Sequence, residues 1–377
     1  MARKKRGNGE GTIYRRKDGQ WATQYTVYTA QGRKRKTLYG KTRSEVAAKL
    51  TKALSDREGG LAFDTANITL GPYLDRWLSD SVQGSVQETT YRRYEELARL
   101  HIKPALGRLK LKALTPAHVR RLYREKLDSG LAPRTVNYIH RTLYKALKQA
   151  VADGLIPRNV ASVVEAPKPT KKEIRPLNHA QVSALFEAAR GDRLEALYIV
   201  AVMMGLREGE LLGLKWEDVD LQAGTLSVRR SLSYTEKEPK FNSPKNGKGR
   251  SLKLTATALD ALRRHKIAQN EERLQLGSLW EDHDHVFPSQ TGKPVRAWSL
   301  IGGPFKRIWK RAGLPEKTRF HDLRHTCATL LLSQGVHPKF VQELLGHATI
   351  SITLDTYSHV LPGMGDQTAV AMENVLG

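Results

Sequence analysis

The sequence predicts an α+β chain of several domains: a small three-stranded sheet plus one helix, an all-helical block, and a mainly helical block with a small antiparallel sheet. Three observations carry that expectation. The first 60 residues alternate in hydrophobicity around Asp18-Gly19 and Gln31-Gly32 turns. From residue 66 to 165 the apolar residues recur at helical spacing instead. A Pro- and Lys-rich stretch, Ala166-Pro167-Lys168-Pro169-Thr170-Lys171-Lys172, then separates a mixed third block and reads as a linker. The chain has 377 residues, room for two or three domains at roughly 100–200 residues each. The expected divisions are 1–60, 66–165, a linker at 166–174, and 175–377.

In the first block Thr12-Ile13-Tyr14 reads as a short strand and Lys17-Asp18-Gly19-Gln20 as a turn. Residues 21–28 and 33–39 read as two further strands. Thr42 with Glu45 three residues on is a capping box. It opens a helix to about residue 57, with Val46, Leu50 and Leu54 on one face. That helix covers one side of the sheet. Arg15, Arg16, Arg33, Arg35 and Lys36 decorate the strands, and a basic three-stranded sheet can enter a DNA major groove. A solvated basic face is the alternative reading of the same residues.

In the second block Tyr73, Trp77 and Leu78 share a helical face. Thr89 is the expected cap of a helix carrying Tyr91, Tyr94 and Leu97. Thr115-Pro116 opens another helix, since Pro suits the first helical turn. Pro133-Arg134-Thr135 opens the next, with Val136, Ile139, Leu143 and Leu147 as its apolar stripe. Helical spacing assigns these aromatics to a core. The polar faces carry Arg92, Arg93, Arg99, Lys103, Arg134, Arg141, Lys145 and Lys148. In the third block residues 181–189 and 194–205 read as helices, and 210–214 as a further helical turn. Residues 225–233 alternate as one strand, Lys245-Asn246-Gly247-Lys248 carries an Asn-Gly hairpin signal, and 250–254 returns as a strand. Helices dominate the remainder.

Charge narrows the partner. Lys plus Arg number 63 against 38 acidic residues, a formal net charge of +25. A field of that sign attracts a polyanion, of which nucleic acid is the usual one. One cysteine, Cys327, excludes an intrachain disulfide and reads as a core residue. The basic start Met1-Ala2-Arg3-Lys4-Lys5-Arg6 has no apolar stretch behind it, unlike a signal peptide. The longest apolar run, 196–206, is too short to span a bilayer. The cytoplasm is therefore the expected location.

The residues that carry chemistry lie in the last block. His321-Asp322-Leu323-Arg324-His325 starts a helix whose expected buried stripe is Leu323, Cys327, Leu330 and Leu331. A spacing of three puts His321 and Arg324 on one face, where they can hold one phosphate. His321 and His325, four apart, are also spaced like a metal pair. The zinc-protease pattern needs Glu after the first His, however, and Asp322 stands there with no third ligand in view. Upstream lies Gly205-Leu206-Arg207-Glu208-Gly209-Glu210-Leu211. Downstream come Leu345-Gly346-His347-Ala348 and Asp355-Thr356-Tyr357-Ser358-His359.

This ordered set resembles the tyrosine recombinases of the phage integrase kind. The resemblance implies that Arg207 and Arg324 clamp a phosphate, that His321 and His347 are the two histidine positions, and that Tyr357 is the nucleophile. It makes Glu210 the support of Arg207 and Lys245 the hairpin lysine, with Lys248 as its rival. His325 and His359 read as structural. Residues 67–165 resemble the family's helical core-binding domain, and 9–58 its AP2-like arm-binding module. Arg92, Arg93, Arg134, Arg141 and Lys145 then become contacts to core DNA, and the sheet residues contacts to arm DNA.

The chemistry suits these residue types. A phosphodiester repels nucleophiles, and two guanidinium groups neutralise its non-bridging oxygens as charge builds. A Tyr hydroxyl, with a reference pKa near 10, needs an acceptor for its proton, and His321 is the candidate. Lys245 can protonate the departing 5′-oxygen. A 3′-phosphotyrosine preserves the energy of the broken bond, so rejoining calls for no ATP, metal or cofactor. The expected function is integration of a mobile element, and excision with accessory factors, through a Holliday junction. The expected partners are core and arm attachment sites in double-stranded DNA, three further copies in a tetramer, an excisionase and a host DNA-bending protein, in a bacterial cytoplasm at the nucleoid and with no membrane. Alternatives are an inversion or dimer-resolution recombinase, or an architectural DNA-binding protein without catalysis. Last, Pro362, Gly363 and Gly365 interrupt the chain before a short helix at 367–376, which must dock either on its own domain or on an adjacent protomer, the second being favoured.

Overall fold

The computed structural model describes residues 12–29, 32–58, 67–169, 175–235, 238–244, 247, 249–316, 318–357, 370 and 372–376, with backbone alone at 27–29, 32–34, 52 and 55–58. Its contacts divide the chain into two compact units, Met1–Lys171 and Lys172–Gly377.

The first unit opens with an antiparallel meander of β1 (Thr12–Arg15), β2 (Trp21–Thr29) and β3 (Gly32–Gly40). Helix α1 (Arg43–Glu58) packs on one side, where Leu50 and Ala53 meet Tyr25, Ile13 and Leu38. The Thr42 hydroxyl accepts the N–H of Glu45, as a cap should. The Glu45 carboxylate reaches back to the N–H of Lys41, one residue before the expected partner. Register divides the basic strand residues. Side chains alternate across a sheet, and Lys36 pairs with Tyr25 and Arg15 with Trp21, so both fall on the helix side. Arg35 falls on the open side with the exposed Tyr14 and Tyr39, and Arg16 stacks 5.1 Å over the Tyr39 ring. Arg35 and Arg16 therefore share the open face, and Arg15 and Lys36 fall on the other. The Arg33 side chain and Gln31 lie outside the described residues.

A separate helical core follows. It contains α2 (Leu70–Arg76), which continues as a π-helical stretch at Trp77–Val82, then α3 (Glu88–Leu97), α4 (Lys103–Leu106), α5 (Pro116–Asp128) and α6 (Pro133–Ala152). Tyr73, Trp77, Leu78, Val136, Ile139, Leu143 and Leu147 are all buried there. Thr115 caps α5 by accepting the His118 N–H, with Pro116 in the first turn. Thr89 does not cap α3. Extended Gln87 precedes the helix, and Thr89 already sits inside its first turn. On α6 the residues at positions 134, 138, 141 and 145 share the face opposite the apolar stripe.

The second unit begins with α7 (His179–Ala189) and the apolar α8 (Glu195–Met204), which runs through its core. Next come α9 (Glu208–Leu212), β4 (Val219–Asp220), β5 (Thr225–Val228), β6 (Ser231–Tyr234), β7 (Pro239–Asn242) and β8 (Arg250–Lys253). The strand expected over 225–233 is two strands in two sheets: β4-β5-β8 and β6-β7. The break falls at Arg229-Arg230, where Arg230 turns aside to pair with Asp218 and Glu217. Lys245, Asn246 and Lys248 of the expected Asn-Gly hairpin lie outside the described residues. β7 pairs with β6, and β8 pairs with β5. The unit closes with α10 (Ala256–Leu276), α11 (Ala297–Leu300), α12 (Lys306–Arg311), α13 (Asp322–Ser333), α14 (Pro338–Leu345) and α15 (Ile350–Tyr357). On α13 Leu323, Cys327 and Leu332 are buried, while Leu330 and Leu331 are only half-buried. No described helix is long and apolar enough to cross a membrane.

Candidate active site

Two helix ends build the site. α8 stops at Gly205 (φ +59°) and α14 at Gly346 (φ +63°), both in the left-handed region that glycine adopts without strain. A Cβ on Gly205 would lie 2.7 Å from Leu345 Cδ2, so the two ends also need glycine to approach this closely. Helix C-termini leave carbonyls without intrahelical partners and carry partial negative charge. Here those carbonyls attract guanidinium groups.

Three consecutive carbonyls at the end of α14 each accept from a different arginine. Arg250 Nε donates to Leu344 O at 2.8 Å, Arg324 Nη2 to Leu345 O at 2.6 Å, and Arg207 Nη2 to Gly346 O at 3.0 Å. Arg324 also donates from Nη1 to Gly205 O at 2.8 Å, so it bridges the two helix ends. It is only 3% exposed. Burial first, and Arg207 second, pull its pKa down to about 9, which leaves it charged at neutral pH. Arg207 immediately precedes α9, and its Nη1 donates to Glu210 Oε1 at 2.7 Å. Glu210 also accepts the Arg207 backbone N–H and both Nη atoms of Arg250. Burial alone would raise its pKa. Arg250 and Arg207 overcome that and hold it down at about 2.

His347 follows Gly346 directly. Its Nδ1 lies 2.8 Å from the hydroxyl of buried Thr353. Burial, then Arg324 and Arg207, lower its pKa to about 4, so it is neutral at pH 7. Tyr357 ends α15 and is 1% exposed, packed with Ala328, Leu332, Val341 and Leu345. Its hydroxyl meets His325 Nδ1 at 2.6 Å. Burial raises the phenol to about 12 and lowers His325 to about 4. His321 stands at the surface, its ring 5.1 Å from that of His325 and perpendicular to it. The expected acceptor for the phenol proton was His321, but the contact is made by His325, one turn further along α13. Both imidazoles share a helical face, and spacing alone does not choose between them.

The sequence motifs thus come together in part. Arg207, Glu210, Arg324 and His347 share one cluster, with Tyr357 on a neighbouring helix. Lys245 and Lys248 lie outside the described residues, as does His359. Sequence reasoning missed Arg250 and Thr353 and took His325 for structural, and none carries a local signal that separates it from an ordinary strand or helix residue. Cys327 is buried, its thiol 3.7 Å from Met203 O. Among the described residues no group of three or more His, Cys, Asp or Glu is placed to hold a metal.

A profile described as the phage integrase family matches residues 175–363, and one for the phage integrase N-terminal SAM-like domain matches residues 69–127. A XerC-like tyrosine recombinase of Caldanaerobacter subterraneus subsp. tengcongensis is 33% identical over 87% of this chain and 88% of its own. An integrase of Streptomyces ambofaciens is 29% identical over 99% of this chain and 98% of its own. Among solved structures, the Tn1549 transposon integrase in complex with a circular intermediate DNA matches at TM-score 0.69 and 22% identity, over 82% of this chain and 99% of its own. A lambda integrase tetramer bound to a Holliday junction matches at TM-score 0.60 and 22% identity, over 94% of this chain and 96% of its own. At such identity the structural likeness is one of fold.

Proposed function

Because the chain belongs to the phage integrase family and is a tyrosine-type site-specific recombinase, we propose that it integrates a mobile element into a chromosomal site, and excises it with accessory factors, through a Tyr357 phosphotyrosine. The observation that carries this reading is the pair Arg207 and Arg324, anchored on adjacent carbonyls next to His347, with Tyr357 and His325 hydrogen-bonded close by.

The scissile phosphate seats against the two guanidinium groups, which neutralise its non-bridging oxygens. Tyr357 Oη attacks phosphorus, the P–O5′ bond breaks, and the phenol proton passes to His325 Nδ1. Lys245 protonates the leaving 5′-oxygen. If the Thr353 hydroxyl donates to His347 Nδ1, the neutral ring carries its proton on Nε2 and donates to the phosphate from there. Strand exchange reverses these steps on the partner strand and yields the Holliday junction. A tyrosine only 1% exposed cannot meet a phosphate where it stands, so α15 shifts when protomers assemble on DNA. The tail residues Val370, Met372, Val375 and Leu376 are exposed, and they supply the contact to a neighbouring protomer in a tetramer. The partners are double-stranded attachment sites, an excisionase and a host DNA-bending protein. Core DNA is held by Arg134, Arg141 and Lys145 on α6 together with Arg92 and Arg93 on α3. Arm DNA is held by the open sheet face around Arg16 and Arg35. The domain divisions expected from the sequence, 1–60, 66–165 and 175–377, are part of this proposal.

A dimer-resolution or inversion recombinase is the second reading, favoured by the XerC-like relative. The decisive experiment uses nicked duplexes cut from the DNA flanking the gene, incubated in EDTA. The wild type should form a denaturant-stable adduct and Tyr357→Phe should form none. An adduct with the Phe variant removes Tyr357 from its role, and no adduct with the wild type on either flank removes the enzyme reading for these sites.

A further inference from the structure

We propose that Arg250 is a positioning residue that locks the phosphate clamp by tying the Glu210 carboxylate to the α14 end on which Arg207 is anchored, an inference that rests on the recombinase reading above. Arg207 has two side-chain anchors, Glu210 Oε1 at 2.7 Å and Gly346 O at 3.0 Å. Arg250, the first residue of β8, bonds the first directly and reaches the helix end that carries the second. Its Nη1 and Nη2 donate to Glu210 Oε1 and Oε2 at 3.2 and 2.8 Å, a fork across the carboxylate. Its Nε donates to Leu344 O, two residues before Gly346. Its guanidinium comes close to Gly346 itself: a Cβ there would fall 2.9 Å from Nη1. One planar group thus ties the α9 carboxylate to the α14 turn, and Arg207 spans the same gap beside it.

Charge explains why a second arginine is needed. Glu210 is 2% exposed, and a buried carboxylate needs its lone pairs taken. Arg207 takes one oxygen through its side chain and the other through its backbone N–H. Without Arg250, Glu210 would draw the Arg207 guanidinium wholly onto itself and away from a phosphate. With Arg250 filling both oxygens, Arg207 remains a net positive charge that can face outward, and its side chain keeps 23% of its exposure against 12% for Arg250. Two nitrogens of Arg250 hold the Glu210 carboxylate and a third holds Leu344 O beside Gly346, so it acts through Arg207. Lysine has no planar fork and cannot make the three contacts at once.

The test is single-turnover cleavage of a suicide duplex made from the flanking DNA, with a phosphodiester or a methylphosphonate at the scissile position. Proteins are wild type, Arg250→Ala, Arg250→Lys, Arg207→Ala and the double variant Arg207→Ala/Arg250→Ala. Arg250→Ala should cleave the phosphodiester about 10²-fold more slowly, the scale expected for a displaced catalytic group, with half-site affinity unchanged. Arg250→Lys, which keeps the charge and protects the fold, should recover little of that loss. The double variant should be no slower than Arg207→Ala, since both changes remove one function. On the methylphosphonate, where one anionic oxygen is gone, the deficit of Arg250→Ala should shrink, which a defect in folding alone would not produce. Wild-type rates in both Arg250 variants, or losses that multiply in the double variant, would overturn the inference. An adduct missing from the wild type as well would overturn the recombinase reading with it.

Discussion

Arg324 and Arg141 carry the same guanidinium, and the protein treats them oppositely. Arg324 is 3% exposed, pinned between Gly205 O and Leu345 O at the ends of two helices. Arg141 is exposed on α6, in a row with Arg134, Tyr138 and Lys145. Its neighbours make exposed hydrogen bonds: Arg134 Nε meets the Tyr138 hydroxyl at 3.2 Å and Lys145 Nζ the Tyr94 hydroxyl at 2.8 Å. On α3, Arg92 and Arg93 pair with Glu88 and Glu96 in ordinary surface ion pairs. A buried charge is tolerable only when its donors are satisfied, so its direction is set before any ligand arrives. An exposed charge stays hydrated and can follow a flexible backbone. The first arrangement suits a transition state and the second suits affinity. Counting basic residues therefore says little about where catalysis resides.

The sharpest way to break that contrast is to remove one member of each kind. Arg324→Ala or Arg207→Ala should slow cleavage by roughly 10²–10³-fold or more, as for a lost transition-state donor. Arg324→Ala should also destabilise the unit by about 1–3 kcal/mol for each carbonyl left without a partner. Arg141→Ala should stay within about 0.5 kcal/mol of wild type. Thermal melts with adduct assays on the same preparations check both halves, and equal melting shifts for Arg324→Ala and Arg141→Ala would erase the distinction.

The surface half makes its own prediction. Affinity for a half-site should fall steeply with salt. Replacing Arg134, Arg141 and Lys145 with Ala should reduce the slope of log affinity against log salt by about 0.9 per lost phosphate contact. Maximal cleavage at saturating protein should barely change. A slope that stays put means the α6 row faces solvent in the complex. Deleting residues 1–60 should leave the core-site footprint intact and remove a distal one. Coincident footprints would favour the dimer-resolution reading over integration.

Acidification should act on the buried half at milder scale. His325 and His347 are held at about 4, chiefly by burial, against an ordinary value near 6.5. A folded state that binds fewer protons than the unfolded one gains stability as pH rises. Their contribution is thus complete above about pH 6.5 and is lost as pH falls towards 4. Glu210, held at about 2, adds a further loss below about pH 4.5. Denaturant melts between pH 4 and 7 should follow this sign, and His325→Gln should flatten the slope. An unchanged slope in that variant would mean that His325 titrates normally.

Much of this molecule is legible in its sequence. Period-2 and period-3.6 patterns located the meander and helices such as α6, whose apolar stripe and basic row both follow from spacing. The ordered motifs brought Arg207, Glu210, Arg324, His347 and Tyr357 into view, because chain order and residue type are sequence properties. What tertiary structure alone decided is who meets whom. Residues 225–233 read as one strand, yet they divide because Arg230 finds Asp218 twelve positions back. His321 and His325 are equivalent on a helical wheel, and packing of α15 against α13 gives the phenol to His325. Arg250 looks like any strand arginine, since its anchors lie 40 and 94 positions away. Local sterics and periodicity set which elements form, and those act over a few residues. The partner of a buried charge is whichever carbonyl or carboxylate the completed fold delivers to it, and that choice is written in no local pattern.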